Sequence, residues 1–182
     1  MSFGIEMSHS GLRKVTSWID LFTEFTGKAI AWLTLAMVLV SFTIVVLRYG
    51  AGVGWIALQE SVLYFHAIVF MLGAAYTLKA DGHVRVDIFY QNFNEYQKAK
   101  VNLFGAVFFL LPVCIAIFML SYDYVLTSWQ IMEKSVEAGG LPLVYLNKSL
   151  ILYLCLSLGL QGVAEILRNI DTLLSANHKE AN

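Results

Sequence analysis

The sequence predicts an all-α integral membrane protein: a four-helix bundle with amphipathic segments at its surfaces and both termini in the cytoplasm. Three observations carry that expectation. Hydrophobic residues fill 58% of the 182 positions and charged residues only 14%, with a mean hydropathy of +0.68. Typical soluble chains carry roughly 25% charged residues, so the deficit points to lipid as the solvent. Four runs contain no Asp, Glu, Lys or Arg: Ala29 to Leu47, Ser61 to Leu78, Val101 to Tyr122 and Ser149 to Ala164. The cations between those runs are unevenly shared, with nine of 12 on one side.

The first 28 residues read as a tail carrying an amphipathic helix. Leu12, Val15, Ile19 and Phe22 follow helical spacing, with Arg13, Lys14, Asp20 and Glu24 on other faces. Such a helix lies on the inner surface or extends the first span. The membrane domain covers 29–168, with spans near 29–48, 58–78, 101–122 and 144–166. Roughly 20 helical residues cross a hydrocarbon layer of about 30 Å, and each run reaches that length with its uncharged flanks. No run alternates with period two, and an unpaired strand in lipid leaves its backbone unsatisfied. The first span is too long for a signal-peptide core and lacks a following small-residue cleavage site, so it is expected to stay.

Between the second and third spans Asp81-Gly82 is a turn signal. Asp87 is placed to cap a short helix that turns Ile88, Phe89 and Phe93 toward the membrane. After the third span, Val125, Trp129, Met132 and Val136 continue the helical spacing until Gly139-Gly140-Leu141-Pro142 stops it. Residues 169–182 form a second tail. Arg13, Lys14, Lys28, Lys79, Arg85, Lys98, Lys100, Arg168 and Lys179 share one side, against Arg48, Lys134 and Lys148 on the other. The positive-inside rule puts the first group, and both termini, in the cytoplasm.

Composition also excludes function classes. Twelve cations against 13 acids give a formal net charge of −1, which leaves no polybasic surface for nucleic acid. Cys114 and Cys155 lie inside spans without a Cys-x-x-Cys pair, so they read as small buried hydrophobes. No Walker loop, Gly-x-Gly-x-x-Gly or His-Glu-x-x-His motif occurs. No catalytic residue, metal site or cofactor is therefore expected. His66 is the one histidine within a span; a bis-histidine haem site needs two, and an interhelical hydrogen bond is its expected role.

Three polar groups remain. Arg48 and Glu60 face each other across a short loop and form a candidate structural pair. Gln161, Glu165 and Arg168 make one stripe on the fourth span that suits an inter-subunit contact; Glu165 and Arg168 equally suit a same-helix pair. Trp129, Glu133 and Lys134 lie in the external segment, the largest element on its side. Trp32, Trp55 and Trp129 sit near span ends, where an aromatic belt belongs.

Residues in order along the chain resemble one family. Arg48-Tyr49, Trp55, Glu60, Leu72 to Lys79, and Gly82-His83-Val84-Arg85-Val86-Asp87 open the pattern. Leu110-Leu111-Pro112, Ser128-Trp129, Glu133, Ser135, Gly139-Gly140-Leu141-Pro142, Lys148 and Leu160 to Glu165 continue it. Together they resemble the small membrane subunit, the DctQ-like permease component, of tripartite ATP-independent periplasmic (TRAP) transporters. Ala138 and Leu152-Tyr153 stand where family members often carry prolines, which predicts a straighter fourth span. The resemblance implies a bacterial inner-membrane scaffold, partnered by a large elevator-type subunit and a periplasmic substrate-binding protein, in sodium-driven uptake of an organic acid; it makes Gln161, Glu165 and Arg168 candidates for contact with the large subunit, and Trp129, Glu133 and Lys134 candidates for the docking region of the binding protein. Two other classes remain alternatives: the membrane anchor of a respiratory oxidoreductase, and a small exporter using Glu60 for proton exchange.

Overall fold

A computed structural model describes residues 2–83 and 90–180, with side chains for 14–83 and 90–176. Helix α1 (Ser2–Gly50) holds 49 residues. At about 1.5 Å per residue it is about 73 Å long, more than twice the hydrocarbon thickness. Of the two expected placements for the amphipathic segment, the helix adopts the extension of span one. No proline interrupts residues 14–50, and Gly27 is kept helical by tight packing. A Cβ there would lie 2.8 Å from Cβ of Tyr76 and closer still to its ring. Gly27→Leu is accordingly expected to pry α1 from the second span, read as a lowered thermal midpoint and faster proteolysis of the α1 extension.

Helix α2 (Ile56–Lys79) ends where Ala80 N–H reaches the Tyr76 carbonyl at 2.9 Å and Gly82 N–H reaches that of Thr77, also at 2.9 Å. Asp81 adopts φ +53° in this turn, so the Asp81-Gly82 signal is borne out. The Asp87 cap, with Ile88 and Phe89, lies outside the described residues. Helix α3 (Glu95–Gly105) starts at Asn94, whose side chain accepts from Gln97 N–H at 2.8 Å while the Gln97 side chain accepts from Asn94 N–H at 3.1 Å. This reciprocal capping box satisfies two donors that the first turn leaves open.

A π-helical stretch, Ala106–Leu110, joins α3 to α4 (Leu111–Gln130), and the Leu111 amide bonds five residues back to Ala106. Pro112 supplies the reason: its ring crowds the preceding turn and it has no N–H to donate, so one wider turn absorbs the mismatch. Helix α4 stops earlier than the sequence spacing suggests. Met132 takes φ +48°, a left-handed conformation that ends helical propagation, so Val136 lies in a loop. Helix α5 (Val144–Glu180) continues well past the expected boundary at 168.

Four helices among the described residues are long and apolar enough to cross a membrane: Lys14–Gly50, Ile56–Lys79, Glu95–Gln130 and Val144–Ala176. Helix α5 is the hub, packing on α1, α2, α3, the π turn and α4, while α1 pairs mainly with α2. Its membrane window is 28% buried, against 6% to 11% in the other spans. Small and polar side chains dominate the interior: Ala75, Ala99, Ala106, Ala164, Ser128 and Ser157 are buried, as are Cys114 and Cys155. Large apolar residues such as Trp32, Phe42, Phe70 and Leu120 point outward. That inversion suits lipid, where helices meet through small residues and hydrogen bonds rather than by hiding oil from water.

Candidate functional site

The side chains with most to say lie at the two ends of the bundle, one near the cation-rich loop and one opposite. At the cation-rich end, α1 brings Asp20, Thr23 and Glu24 to α5 and α2. Gln161 is fully buried. Its Oε1 accepts from the Thr23 hydroxyl at 2.9 Å and its Nε2 donates to Asp20 Oδ1 at 3.2 Å. Arg168 donates to Asp20 Oδ2 at 3.3 Å and to Glu165 Oε1 at 2.9 Å. Lys79 closes the third side, donating to the Asp20 carbonyl at 3.0 Å and to Glu24 Oε2 at 2.8 Å.

The expected stripe on α5 is thus real, and its Glu165–Arg168 same-helix pair forms. Gln161, however, spends both ends of its amide inside this chain, so it ties helices together from behind any external contact. Glu165 and Arg168 remain half-buried. Sequence reasoning missed Asp20, Thr23 and Lys79 as their partners. The available signal was polar residues at i, i+3 and i+4 on the extension of span one.

At the opposite end the segment between α4 and α5 folds over the start of α2. Glu60 accepts from the Ser135 hydroxyl in a short hydrogen bond and from Leu141 N–H at 2.6 Å. Ser135 N–H bonds the Leu141 carbonyl at 3.1 Å. The expected Arg48–Glu60 pair is not formed: the carboxylate closes on the loop instead, and Arg48 is exposed. Gly140 sits against this knot, where a Cβ would meet Ser135 and come within 2.7 Å of Glu60 Oε1.

Glu133 pairs with Lys148, whose ammonium lies 4.0 Å from the centre of the Tyr124 ring. Trp129 donates to Ser149 Oγ at 2.7 Å and packs edge-on against Tyr145. Lys134 and Val136 are exposed beside them. Trp129, Glu133 and Lys134 therefore belong to one surface, two of them anchored to α5.

The Lys148 ammonium holds the Glu133 carboxyl below its ordinary range. A depressed carboxyl pKa contributes stability above the unfolded value, near 4.3, that is lost as pH falls through the lowered folded value. The loop is expected to stay tied at pH 5 and to loosen only in stronger acid. Tryptophan fluorescence should show that acid transition in the wild type and lose it in Glu133→Gln.

A cleft of about 700 Å³ opens between α2 and α5, lined by Tyr64, Ile68, Leu72, Leu150 and Leu156 among others, with no charged side chain. It offers no counter-charge to an anion. Among the described residues no group of three or more His, Cys, Asp or Glu could hold a metal ion.

Four lipid-suited helices whose polar groups tie spans to one another define a multi-pass membrane protein. A family model for the DctQ component of tripartite ATP-independent periplasmic transporters matches residues 37–172, and the chain belongs to that family. No curated protein and no solved structure matches the chain. The family is a component of transporters rather than a family of enzymes.

Proposed function

We propose that this chain is the static subunit of a TRAP-type importer of an organic acid, bracing a large elevator subunit and helping to dock the periplasmic binding protein. Both termini and the cation-rich end then face the cytoplasm, as the positive-inside rule favours, and the 131–143 loop faces the periplasm. The observation that carries this reading is how the polar interior is spent. Asp20, Thr23, Gln161, Arg168 and Lys79 bond one another across three helices. A carboxylate site would need free helix N-termini or unpaired cations from broken spans. A tied bundle instead supplies the fixed wall against which a moving domain can travel.

Glu165 and Arg168 suit the large-subunit contact, with Gln161 holding them from behind. Trp129, Glu133 and Lys134 suit the docking surface. Co-expression with the large TRAP subunit should yield a stable complex, and deletion of this chain should abolish uptake. Recovery of the chain alone, with uptake unchanged on deletion, contradicts the reading. Charge reversal at Lys134 should slow uptake while leaving the membrane complex intact; unaltered transport removes it from docking.

A further inference from the structure

His66 occupies an unusual position. It is the one His, Asp, Glu, Lys or Arg inside the four charge-free runs, yet the fold leaves it exposed. Among the described residues none forms a hydrogen bond to it, and it stacks on the Phe70 ring, 6.3 Å away on the same helix. The interhelical bond expected from sequence is therefore not made among the described residues. His66 lies six residues inside Glu60, a rise of about 9 Å, too deep for a short imidazole to reach the headgroups. Ionisable groups at such depth almost always face protein or a water-filled cavity rather than lipid tails.

The neighbours of His66 form a face. Steps of three and four residues place Leu63, His66, Phe70 and Gly73 within an arc of roughly 80° at about 100° per residue. Leu63 is 65% and Phe70 70% exposed, and a Cβ at Gly73 would meet nothing within 4 Å. The opposite side of α2 is occupied, with Tyr64, Ile68 and Leu72 toward α5 and Tyr76 against Gly27 of α1. Other outward surfaces, such as Ile115, Met119 and Leu120 of α4, carry only apolar groups and are satisfied by lipid. The α2 face has large residues, an open glycine that admits a close backbone, and a polar group lacking a partner, as membrane helix interfaces do.

The geometry points to the Leu63–His66–Phe70–Gly73 face of α2 as the seat of a transmembrane helix of the large TRAP subunit, one that presents a hydrogen-bonding side chain to His66. This rests on the proposed function, since the occupant is the partner named there. That helix crosses over Gly73, where the backbones approach most closely, and its polar side chain completes the imidazole.

The test is co-purification of the tagged full-length chain with the co-expressed large subunit. Gly73→Leu fills open space, so the chain should keep its thermal midpoint while recovery of the partner falls about tenfold, the equivalent of about 1.4 kcal/mol of association free energy. His66→Leu should also reduce recovery, and His66→Gln, which keeps a hydrogen-bonding group, should restore part of it. Leu120→Trp, on an apolar outward face, should leave recovery unchanged. Full recovery with both Gly73→Leu and His66→Leu overturns the assignment while leaving the partnership intact, whereas a wild-type chain that retains no large subunit overturns both. Cross-links from His66→Cys that join only two copies of this chain would assign the face to a homodimer and overturn it as well.

Discussion

Gln161→Leu is expected to be among the most destabilising single substitutions in the chain. The side chain is fully enclosed and bridges two groups of α1, the Thr23 hydroxyl and the Asp20 carboxylate. Leucine matches much of the volume but accepts and donates nothing. Thr23 retains an alternative, because a helical threonine can turn its hydroxyl to a carbonyl one turn back. Asp20 does not: it keeps the Arg168 contact at 3.3 Å but loses the donor that fixes its second oxygen. A hydrogen bond to a charged group contributes about 1.5–3 kcal/mol, and half-buried Asp20 loses one. For a chain of this size that lowers the thermal midpoint by about 4–8 °C, taking about 2 kcal/mol as the midpoint.

A double-mutant cycle with Thr23→Val isolates the pair. The coupling between Thr23 and Gln161 should fall near the average of about 0.6 kcal/mol, and below the maximum of about 1.7 kcal/mol, for hydrogen bonds between membrane helices. A coupling of zero, with Gln161→Leu leaving the midpoint unmoved, would show that the Gln161 bonds do not help to hold α1. The N-terminal extension of α1 should also become more open to protease in Gln161→Leu, since Lys79 and Arg168 alone would then tie it down.

The spans were legible because their signal is local. A run without charge, long enough for lipid, declares itself within 20 or so residues, and the four observed helices contain the four predicted runs. The π turn was not announced, although Pro112 is its cause, because a proline in a span permits a kink or a wider turn and only packing on α5 decides. The reach of α4 was overread for a different reason. Val125, Trp129, Met132 and Val136 do follow helical spacing, but the backbone reverses hand at Met132, and the loop gains its bonds from Glu60 on another helix. Polar partners were hardest to read. Glu60 meets Ser135 and Leu141 from 75 and 81 positions away, whereas Arg48 was the nearest opposite charge along the chain. Sequence proximity favoured the ion pair; the fold favoured a carboxylate that closes a loop through a hydroxyl and a backbone amide.

That knot gives the second large expectation. Glu60→Ala should release the 131–143 loop without unfolding the spans. Both oxygens of Glu60 are used, and removing them strands the Leu141 amide and the Ser135 hydroxyl. Hydrogen bonds to a charged group are stronger than neutral ones, and the loop's other ties, Glu133–Lys148 and Trp129–Ser149, hold only its first half. Glu60→Gln is the discriminating control. Its amide oxygen can accept from Leu141 and its NH₂ can donate to the Ser135 oxygen, so the loop should remain closed at some loss of strength. Gly140→Val should mimic Glu60→Ala by steric means, because its side chain would need the space held by Ser135 and Glu60. Limited proteolysis of the loop reads the release directly, and the affinity of the membrane complex for the loaded binding protein reads its consequence. Release in Glu60→Ala and Gly140→Val, closure in Glu60→Gln, and weaker docking only where the loop opens would tie the carboxylate to the shape of the proposed docking surface. Equal proteolysis in all three and the wild type would mean that the loop keeps its form without Glu60, and that the carboxylate has another role at the mouth of α2.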